Sequence, residues 1–519
     1  MIYTSPFPDV PIPDIALTEE VFRHVGRLGD RVAVIDGPTG RSYTYAQLHE
    51  AARRTAGGLV ANGLRRGEVV AILAPNIPEY AIVFHGVALS GGVVTTINPT
   101  YTVDEVAHQL RDAGARFLVT IAIFGDLALA AAAESGVEVV FSIGASHDGC
   151  RSFSDLLAAD PIDQVAIDPA VDVVALPYSS GTTGLPKGVQ LTHRNLVANL
   201  IQYDSVSNAD ETDVVLAVMP FFHIYGMQVL MNGVLHIGAL VVTMPRFDLE
   251  EFLKTIETHR VTRVAVVPPI VVSLAKSPLV GRYDLSSLVQ IGSGAAPLSA
   301  EVEAEASRRT GAPVVQGFGL TETSPVTHAM SPEEPRQGSI GVPVPNTEIR
   351  VIAPGGEDSS PGEPGEIWIR GPQVMKGYLN NDSATRATID DDGWLHTGDI
   401  GHVDDDGFWY ITDRLKELIK FKGFQVAPAE LEAVLLTHPA VADAAVIGVA
   451  DEEAGEVPKA FVVLVEGSPA TRDDIAEFVA ARVAPYKQIR SVEFIDVIPK
   501  SLSGKILRRL LRDRESAVG

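Results

Sequence analysis

The sequence predicts an α/β protein with a large N-terminal domain and a smaller C-terminal domain. Its 519 residues exceed what one hydrophobic core usually serves, so two or more domains are expected. In the first part of the chain, apolar strand-like runs alternate with helix-like patterns, which is typical of layered α/β structure. After residue 413 the predicted strands and helices indicate a separate α+β unit.

Two capping boxes predict where early helices of the large domain begin. The first, at residues 44–47, predicts a helix that runs to about residue 62, and the apolar run 69–73 after it predicts a strand. The second, at residues 102–105, predicts a helix that ends near Gly114, because glycine favours the left-handed C-terminal position. This order indicates alternating layers of helix and sheet.

Two later strands run into glycine-containing turns. The segments 289–291 and 314–316 are followed by Gly-Ser-Gly and Gly-Phe-Gly, and ligands commonly bind beyond the carboxyl ends of such strands. Neither turn is a dinucleotide-binding fingerprint, because Pro297 and Glu322 stand where a third glycine is needed.

The composition and pattern of the sequence change in the last third of the chain. Frequent Pro and Gly with short strand-like runs predict a small β unit at about 331–407 within a large domain that covers 1–412. The C-terminal domain is expected to cover 413–519. Its predicted elements are helices at 429–436 and 473–482 and strands at 444–449 and 460–465.

Composition excludes several classes of partner. The net charge of −25 argues against nucleic acid, because phosphate is repelled outside local basic patches. No apolar run reaches the roughly 18 residues that a membrane span needs. The lone cysteine, Cys150, excludes an internal disulfide and fits a reducing compartment. The N-terminus lacks a secretory pattern and the C-terminus lacks Ser-Lys-Leu, so we expect a cytoplasmic enzyme.

The most informative stretch is Ser179-Ser180-Gly181-Thr182-Thr183-Gly184-Leu185-Pro186-Lys187-Gly188. Small residues leave backbone N–H groups open, hydroxyls add donors and Lys187 adds charge, which is how a loop holds polyphosphate. It is not the P-loop of kinases and GTPases, because Gly188 stands where that motif needs Ser or Thr.

Three further motifs follow along the chain. They are Gly317-Phe318-Gly319-Leu320-Thr321-Glu322, Thr397-Gly398-Asp399 and Pro499-Lys500-Ser501-Leu502-Ser503-Gly504-Lys505. Together with the phosphate loop they resemble the adenylate-forming superfamily, which contains acyl-CoA synthetases, firefly-type luciferases and peptide-synthetase adenylation domains. The greatest similarity is to 4-coumarate–CoA ligases, through residues 179–189, 365–371 and 486–487.

The resemblance implies a ligase that joins a carboxylic acid to coenzyme A through an acyl-adenylate, with ATP, CoA and Mg²⁺. It implies Lys505 as the catalytic lysine, Glu322 as the Mg²⁺ ligand, Asp413 as the hinge of a mobile C-terminal domain and Lys422, Gly423 and Arg246 as CoA contacts. The implied ATP and AMP contacts are Ser179, Ser180, Gly181, Thr182, Thr183, Gly184, Lys187, Gln316, Gly317, Phe318, Gly319, Thr321, Asp399 and Arg414.

The acid site is implied in the same way. His223 resembles an aromatic gate beside the acyl group, with a satisfied core histidine as the alternative. The implied pocket walls are Tyr225, Gly226, Val229, Gly294, Gly317, Gly319, Pro325 and Val326. Plant 4-coumarate ligases usually have Cys where this chain has Trp368, and several have a hydroxyl residue where it has Val229, so the exact acid stays open.

The resemblance leaves other functions open. They are a medium-chain fatty acyl-CoA synthetase, an adenylation enzyme that loads a carrier protein, a luciferase-like enzyme, and a non-enzymatic acid or nucleotide sensor. Lys505 and the hinge-like Asp413 favour catalysis over sensing. The spacing from Pro499 to Lys505 also resembles sites of reversible lysine acetylation, which would make a lysine acetyltransferase and deacetylase partners.

Overall fold

The computed structural model describes residues 1–179, 186–422, 424–451, 453–501 and 504–518. Both predicted capping boxes are confirmed: Thr44 accepts from Gln47 N at the start of helix Tyr45–Ala61, and Thr102 does the same with Glu105 at helix Val103–Ala113. Gly114 ends the second helix in the left-handed conformation, as predicted.

Two sheets form the layers of the large domain. The eight-stranded sheet has the order Gly377–Tyr378, Lys187–Thr192, Val173–Ser179, Val93–Thr96, Val69–Leu73, Ala115–Ile121, Val139–Ile143, Arg151–Ser152. The seven-stranded sheet has the order Val314–Gln316, Gln290–Ser293, Arg263–Val266, Val214–Ala217, Leu240–Thr243, Val32–Asp36, Ser42–Thr44. Most neighbours are parallel, so the carboxyl ends of several strands meet at one edge of each sheet.

Helices cover these sheets and bury one continuous apolar core between them. The helices of the large domain are Leu17–Val21, Val25–Leu28, Tyr45–Ala61, Pro78–Leu89, Val103–Ala113, Gly125–Ser135, Ser154–Leu157, His193–Ser207, Gly233–Ile237, Leu249–His259, Pro268–Lys276, Ala300–Thr310 and Asp382–Thr388. A π-helical segment, Tyr225–Asn232, leads directly into Gly233–Ile237. No helix within the described ranges is long and apolar enough to cross a membrane.

The small β unit is larger than the sequence predicted. An antiparallel five-stranded sheet joins Tyr3–Thr4, Glu348–Ile352, Gly365–Arg370, Leu395–Val403 and Trp409–Arg414. It therefore takes in the N-terminus and continues through Arg414, past the predicted limit at residue 407. A two-residue strand carries no periodic signal, so its pairing is visible only in the structure. Three short strands, Phe318–Gly319, Val326–Ala329 and Val342–Pro343, form a separate sheet beside it.

The C-terminal unit is α+β, as predicted, with its own apolar core. Its strands are Ile419–Phe421, Phe424–Val426, Val441–Asp451, Gly455–Leu464 and Ser491–Phe494. Its helices are Pro428–Leu436, Arg472–Ala480 and Arg508–Val518. Lys276, on the large domain, donates to the carbonyls of Leu436 and Val441 at 3.0 and 2.8 Å and so ties the two units together.

Candidate active site

The phosphate-loop motif lies on a β-hairpin at one edge of the eight-stranded sheet. Ser179 ends one strand, Lys187 begins the next, and the two residues are paired across the hairpin. Ser180, Gly181, Thr182, Thr183 and Gly184 lie outside the described residues. The structure therefore places both ends of the predicted cradle next to each other.

Glu322 lies against this hairpin although it is distant in sequence. Its Oε1 accepts hydrogen bonds from Ser179 Oγ at 2.9 Å and from the Tyr378 hydroxyl at 2.8 Å. Lys187 Nζ lies 4.1 Å from the centre of the Tyr378 ring. Burial, and next the charge of Glu322, raise the pKa of Tyr378, so its hydroxyl stays a donor. Predicted phosphate and metal residues thus share one polar cluster.

Glu322 fits a magnesium ion of the kind that is held mainly by substrate phosphates. Both hydrogen bonds go to Oε1, and no described donor bonds to Oε2. Among the described residues no group of three His, Cys, Asp or Glu side chains could hold a metal ion by itself. Mg²⁺ often binds through one or two carboxylates with phosphate oxygens and water, so a single carboxylate suits it.

Asp399 and Arg414 face each other across two strands of the antiparallel sheet. They are register partners, and Arg414 Nε lies 3.1 Å from Asp399 Oδ1. Asp399 Oδ2 is buried and has no hydrogen-bond partner among the described residues. Burial raises the pKa of Asp399 against the opposing charge of Arg414. A buried acceptor without a partner is costly, which suits an oxygen that awaits the hydroxyls of a ligand.

Lys505 approaches the same cleft from the C-terminal unit. The preceding Gly504 has φ of +77°, and a Cβ there would lie 3.0 Å from Val267 of the large domain, so glycine lets the loop pack closely. Within the described residues Lys505 Nζ forms no ion pair or hydrogen bond. Burial, and next the charge of Arg414, lower the pKa of Lys505 to about 8, while Asp399 and Glu322 act against this shift. Its amine is therefore near, but not bound to, the predicted ribose and metal carboxylates.

The Gly-Phe-Gly turn is shaped by close backbone packing. A Cβ on Gly319 would lie 1.9 Å from the Pro325 carbonyl, and one on Gly317 would lie 3.3 Å from the His328 carbonyl. Phe318 lies between them, and Thr321 begins the short turn that carries Glu322. The Gln316 side chain does not face the cleft freely, because it bonds to both backbone groups of Leu298 and to Glu303. Its predicted contact with the nucleotide is thereby limited to its main chain.

Two of the predicted acid-pocket residues, Tyr225 and Gly294, pack against each other. A Cβ on Gly294 would lie 3.4 Å from the Tyr225 ring, which is ordinary contact. Burial lowers the pKa of His223 to about 3, with a smaller effect from Lys505, so the ring is neutral. Gly226 is different, because a Cβ there would lie 2.1 Å from the Pro220 carbonyl. Gly226 is needed for packing beneath the pocket wall.

The far side of this pocket is held by a residue that sequence reasoning missed. Asn199 Nδ2 donates to the Val326 carbonyl at 2.7 Å, and Val326 N donates to Asn199 Oδ1 at 3.1 Å. Val229 and Val326 line a common cavity, and Pro325 is buried beside it. Tyr378 was missed as well. It reaches the site through strand pairing with Val189, and no local spacing signals a contact across so much sequence.

The predicted CoA residues are not part of this cluster. Lys422 is exposed on a hairpin of the C-terminal unit, with a left-handed φ of 47°, and Arg246 is exposed on the large domain. Gly423 lies outside the described residues. Neither Lys422 nor Arg246 forms an ion pair with a described residue, so both side chains face solvent in this arrangement of the domains.

The predicted hinge residue, Asp413, connects the two units directly. It is buried at the end of a large-domain strand, and its two carboxylate oxygens accept from Arg414 N at 2.6 Å and Ala429 N at 2.9 Å. Ala429 lies in the first turn of helix Pro428–Leu436, whose own N-cap position supplies no side-chain bond. Asp413 therefore caps the first helix of the C-terminal unit from outside it.

Comparison with known proteins agrees with this geometry. The family model described as AMP-binding enzyme matches residues 21–379, and the model described as AMP-binding enzyme C-terminal domain matches residues 430–505. Among curated proteins, 4-coumarate–CoA ligase 3 of Oryza sativa subsp. japonica is 47% identical, with 100% of this chain and 95% of that protein covered.

Solved structures with the same fold include ligand complexes. The anthranilate CoA ligase AuaEII in complex with anthranoyl-AMP has a TM-score of 0.92 at 28% identity, with 98% of each chain covered. ATP-bound MatB from Rhodopseudomonas palustris has a TM-score of 0.89 at 30% identity, covering 98% of this chain and 100% of that one. The chain is an enzyme and belongs to the family of AMP-binding enzymes.

Proposed function

We propose that the protein activates a flat aryl acid, such as 4-coumarate or a related hydroxycinnamate, with ATP and then joins the acyl group to coenzyme A. The full-length similarity to 4-coumarate–CoA ligases supports this reaction. One observation of the structure carries the mechanism. Lys505, from the C-terminal unit, lies near enough to Asp399 and Glu322 for both carboxylates to affect its pKa, and its amine is not engaged by any described residue.

In the first half-reaction a carboxylate oxygen of the acid attacks the α-phosphorus of ATP, and pyrophosphate leaves. The two anions repel each other, and the Lys505 ammonium offsets this charge as the new P–O bond forms. The hairpin that carries Ser179 and Lys187 would bind the outer phosphates. Asp399 Oδ2, which lacks a partner among the described residues, would accept from the ribose. Glu322 would hold Mg²⁺, which supplies neutralising charge to the phosphates.

In the second half-reaction the CoA thiolate attacks the acyl carbonyl, a C–S bond forms, the C–O bond to phosphate breaks and AMP leaves. We propose that the C-terminal unit turns about Asp413 between these steps, with the unit boundary close to that residue. Such a rotation of the C-terminal unit would release Lys505 from the cleft. It would present Lys422 and Gly423 to CoA, with Arg246 near the CoA phosphates. The contact from Asp413 to Ala429 supports this role, because it fixes the first helix of the moving unit in one pose.

The acid pocket supports an aryl substrate. A flat ring suits this site, because Gly294 brings no side chain and the neutral His223 adds no charge. Val229 cannot donate to a phenol, so cinnamate is expected to compete closely with 4-coumarate. Pro325 and Val326 crowd the far wall, so an acid with methoxy groups on both sides of the phenol is expected to bind poorly. Overfilling a packed apolar site costs roughly 1–3 kcal/mol, or about 10–200-fold in specificity.

Two measurements test this function. The protein is expected to catalyse acid-dependent exchange of pyrophosphate into ATP with Mg²⁺ and without CoA. Release of AMP only when CoA is present, with no exchange for any acid of a broad panel, would show that no free adenylate forms. The ratio kcat/KM is then compared for cinnamate, 4-coumarate, sinapate and octanoate. A preference for sinapate would contradict the crowding at Pro325 and Val326.

The proposal has two cellular parts. Acetylation of Lys505 would remove the ammonium charge and stop adenylation, so a lysine acetyltransferase and deacetylase would control the enzyme. Mass spectrometry of the acetylated protein, with Lys505→Gln as a mimic, tests this idea.

A cytoplasmic location fits the single free thiol, Cys150, and is tested by fractionation of cells that express the protein.

A further inference from the structure

A channel leads away from the predicted acid pocket beneath the helix His193–Ser207. Its lining includes Val229 and Val326, which are also predicted walls of the acid pocket. The channel has a volume of about 70 Å³. One enclosed water needs about 10–15 Å³ measured in this way, so the channel has room for a file of roughly five waters or as many heavy atoms of a slim chain.

The floor of the channel lies on the seven-stranded sheet and includes Gly292 and Gln290 of one strand. Alternate residues of a strand share one face, so Gly294 of the predicted acid pocket follows Gln290 and Gly292 in the same direction. On the neighbouring strand, Ala265 is the register partner of Gly292, and Arg263 is the partner of Gln290. At a rise of about 3.3 Å per residue, the distance from Gly294 to Gln290 is about 13 Å. The acid pocket therefore continues along this strand.

Two helical faces form the opposite walls. Residues four apart lie on one face of a helix, and the lining repeats at this spacing on both walls. The wall residues are Asn199, Tyr203 and Ser207 on one helix and Val229, Gly233 and Ile237 on the other. From Asn199 to Ser207 the helix rises about 12 Å, which matches the length of the floor. The floor and this wall of the channel are therefore similar in length.

The two ends differ in chemistry. Near the acid pocket the floor is Gly292 and Ala265, with valine side chains beside them. At the far end Arg263 bonds to Asp213 at 2.7 Å, to Gln290 and to the Ser207 carbonyl at 3.4 Å. Asp204 and His236 also line the channel, and His236 faces the carboxylates of Asp204 and Glu20 at 3.4 and 3.3 Å. Because Arg263 and His236 already face carboxylates, the channel offers polar groups but no spare cation. The channel suits a slim, mostly apolar extension rather than a second anion.

We infer that the channel binds a linear extension on the far side of the aryl ring, so that the enzyme activates para-alkoxycinnamates with about four or five heavy atoms beyond the ring. The inference rests on the proposed function and places the aryl ring of the substrate between Gly294 and Val229. Tyr203 lines the middle of the channel, and its hydroxyl has no partner among the described residues. It is the donor available to an ether oxygen on the ring.

Gly292→Val provides the test. A Cβ at Gly292 would meet its nearest atoms at 3.7 and 3.8 Å, which is ordinary contact, and valine suits a strand. The added methyl groups would narrow the channel beyond Gly294. In the wild type, kcat/KM for 4-butoxycinnamate is expected within about tenfold of that for 4-methoxycinnamate. In Gly292→Val the ratio of the two is expected to fall by about 10–200-fold.

Gly281→Val is the matched control, because nothing lies within 4 Å of a Cβ at that surface glycine and it is not among the residues that line the channel. It is expected to leave both rates and their ratio unchanged. Ala265→Val, across the strand pair, should reproduce the loss and replaces Gly292→Val if that variant fails to fold. The inference is overturned if kcat/KM of the wild-type enzyme is more than about 100-fold lower for 4-butoxycinnamate than for 4-methoxycinnamate. It is also overturned if Gly292→Val and Ala265→Val lower kcat/KM for the two acids equally.

A second acid series separates this inference from the proposed function. If no aryl acid is activated but decanoate is, and Gly292→Val abolishes activity with decanoate, the channel stands and the aryl assignment fails. If cinnamate is activated and every longer acid is rejected, the proposed function stands and the channel is wrong. Activation of no acid at all overturns both.

Discussion

Two buried cations lie three residues apart in the C-terminal unit and have opposite surroundings. Arg508 donates to both oxygens of Glu432 at 2.7 and 2.8 Å and to the Val446 carbonyl at 3.2 Å. Lys505 engages no described carboxylate, although Asp399 and Glu322 are near enough to affect its pKa. A paired buried charge holds a fold together, whereas an unpaired one is costly unless a ligand completes it.

The directions of the pKa shifts express the same contrast. Burial alone would lower the pKa of Arg508, but the carboxylates of Glu432 and Asp413 outweigh it and raise the pKa. Burial lowers the pKa of Lys505 to about 8 because its neighbours do not compensate. A strongly perturbed group in a cleft is a candidate for chemistry, and the geometry identifies Lys505 rather than Arg508 as that group.

The largest expected effect on stability follows from removing the paired cation. Arg508→Met leaves Glu432 buried without its partner, and breaking such a pair costs about 3–5 kcal/mol. Thermal unfolding should show a lower Tm for the C-terminal unit. Arg509→Met is the matched control, because Arg509 is exposed on the same helix. Glu432→Met added to Arg508→Met should recover much of the loss; no recovery would mean that the pair is not what stabilises this region.

Removing the unpaired cation should have the opposite outcome. Lys505→Met is expected to slow adenylation by about 10²–10³-fold, the usual cost of losing a group that stabilises charge in the transition state. Its Tm should stay equal or rise, because a desolvated charge is removed. Thioester formation from a preformed acyl-adenylate should survive much better. Equal loss in both half-reactions would refute a role for Lys505 in adenylation alone.

The pH dependence of adenylation sharpens the comparison further. With a pKa of about 8 in the free enzyme, Lys505 loses its proton as pH rises above 8, so the pyrophosphate exchange rate measured at low ATP should fall by up to about tenfold per pH unit. Lys505→Arg keeps its charge throughout and should lack this decline, whatever its absolute rate. A decline of the same steepness in Lys505→Arg would assign it to another group.

The smallest effect concerns a third buried cation, His236, whose charge depends on pH because its side chain is an imidazole. Nδ1 lies 3.3 Å from Glu20 and Nε2 lies 3.4 Å from Asp204. Burial lowers the pKa of His236, but the facing carboxylates of Asp204 and Glu20 outweigh it and raise the pKa. The stability it contributes is therefore full below about pH 6.5 and is lost as pH rises through the folded pKa. The Tm of wild type should fall over this range relative to that of His236→Gln; parallel curves would contradict the charge pairing.

Local sequence signals predicted those parts of the site that lie on one continuous segment. The phosphate hairpin, the Gly317–Glu322 turn and the loop before Lys505 each lie within about ten residues, so their resemblance to the motifs of a known family is visible in the sequence. The contact between Glu322 and Tyr378 was not predictable in this way. It joins a turn of one sheet to the edge strand of another, and only strand pairing sets that distance.

The sequence by itself determined the two-domain α/β class, the helices that begin at Thr44 and Thr102, and the identity of the adenylate-forming motifs. The fold class and the helix starts follow from periodicity and capping, and the motifs were identified by their resemblance to a known family. All of these signals lie within a few neighbouring positions. Only the tertiary structure decided that Lys505 lacks a partner among the described residues while Arg508 has one, and that one cavity joins Val229 and Val326 to Gly292. Both depend on which side chains of distant segments meet, because burial and strand register are properties of the packed chain.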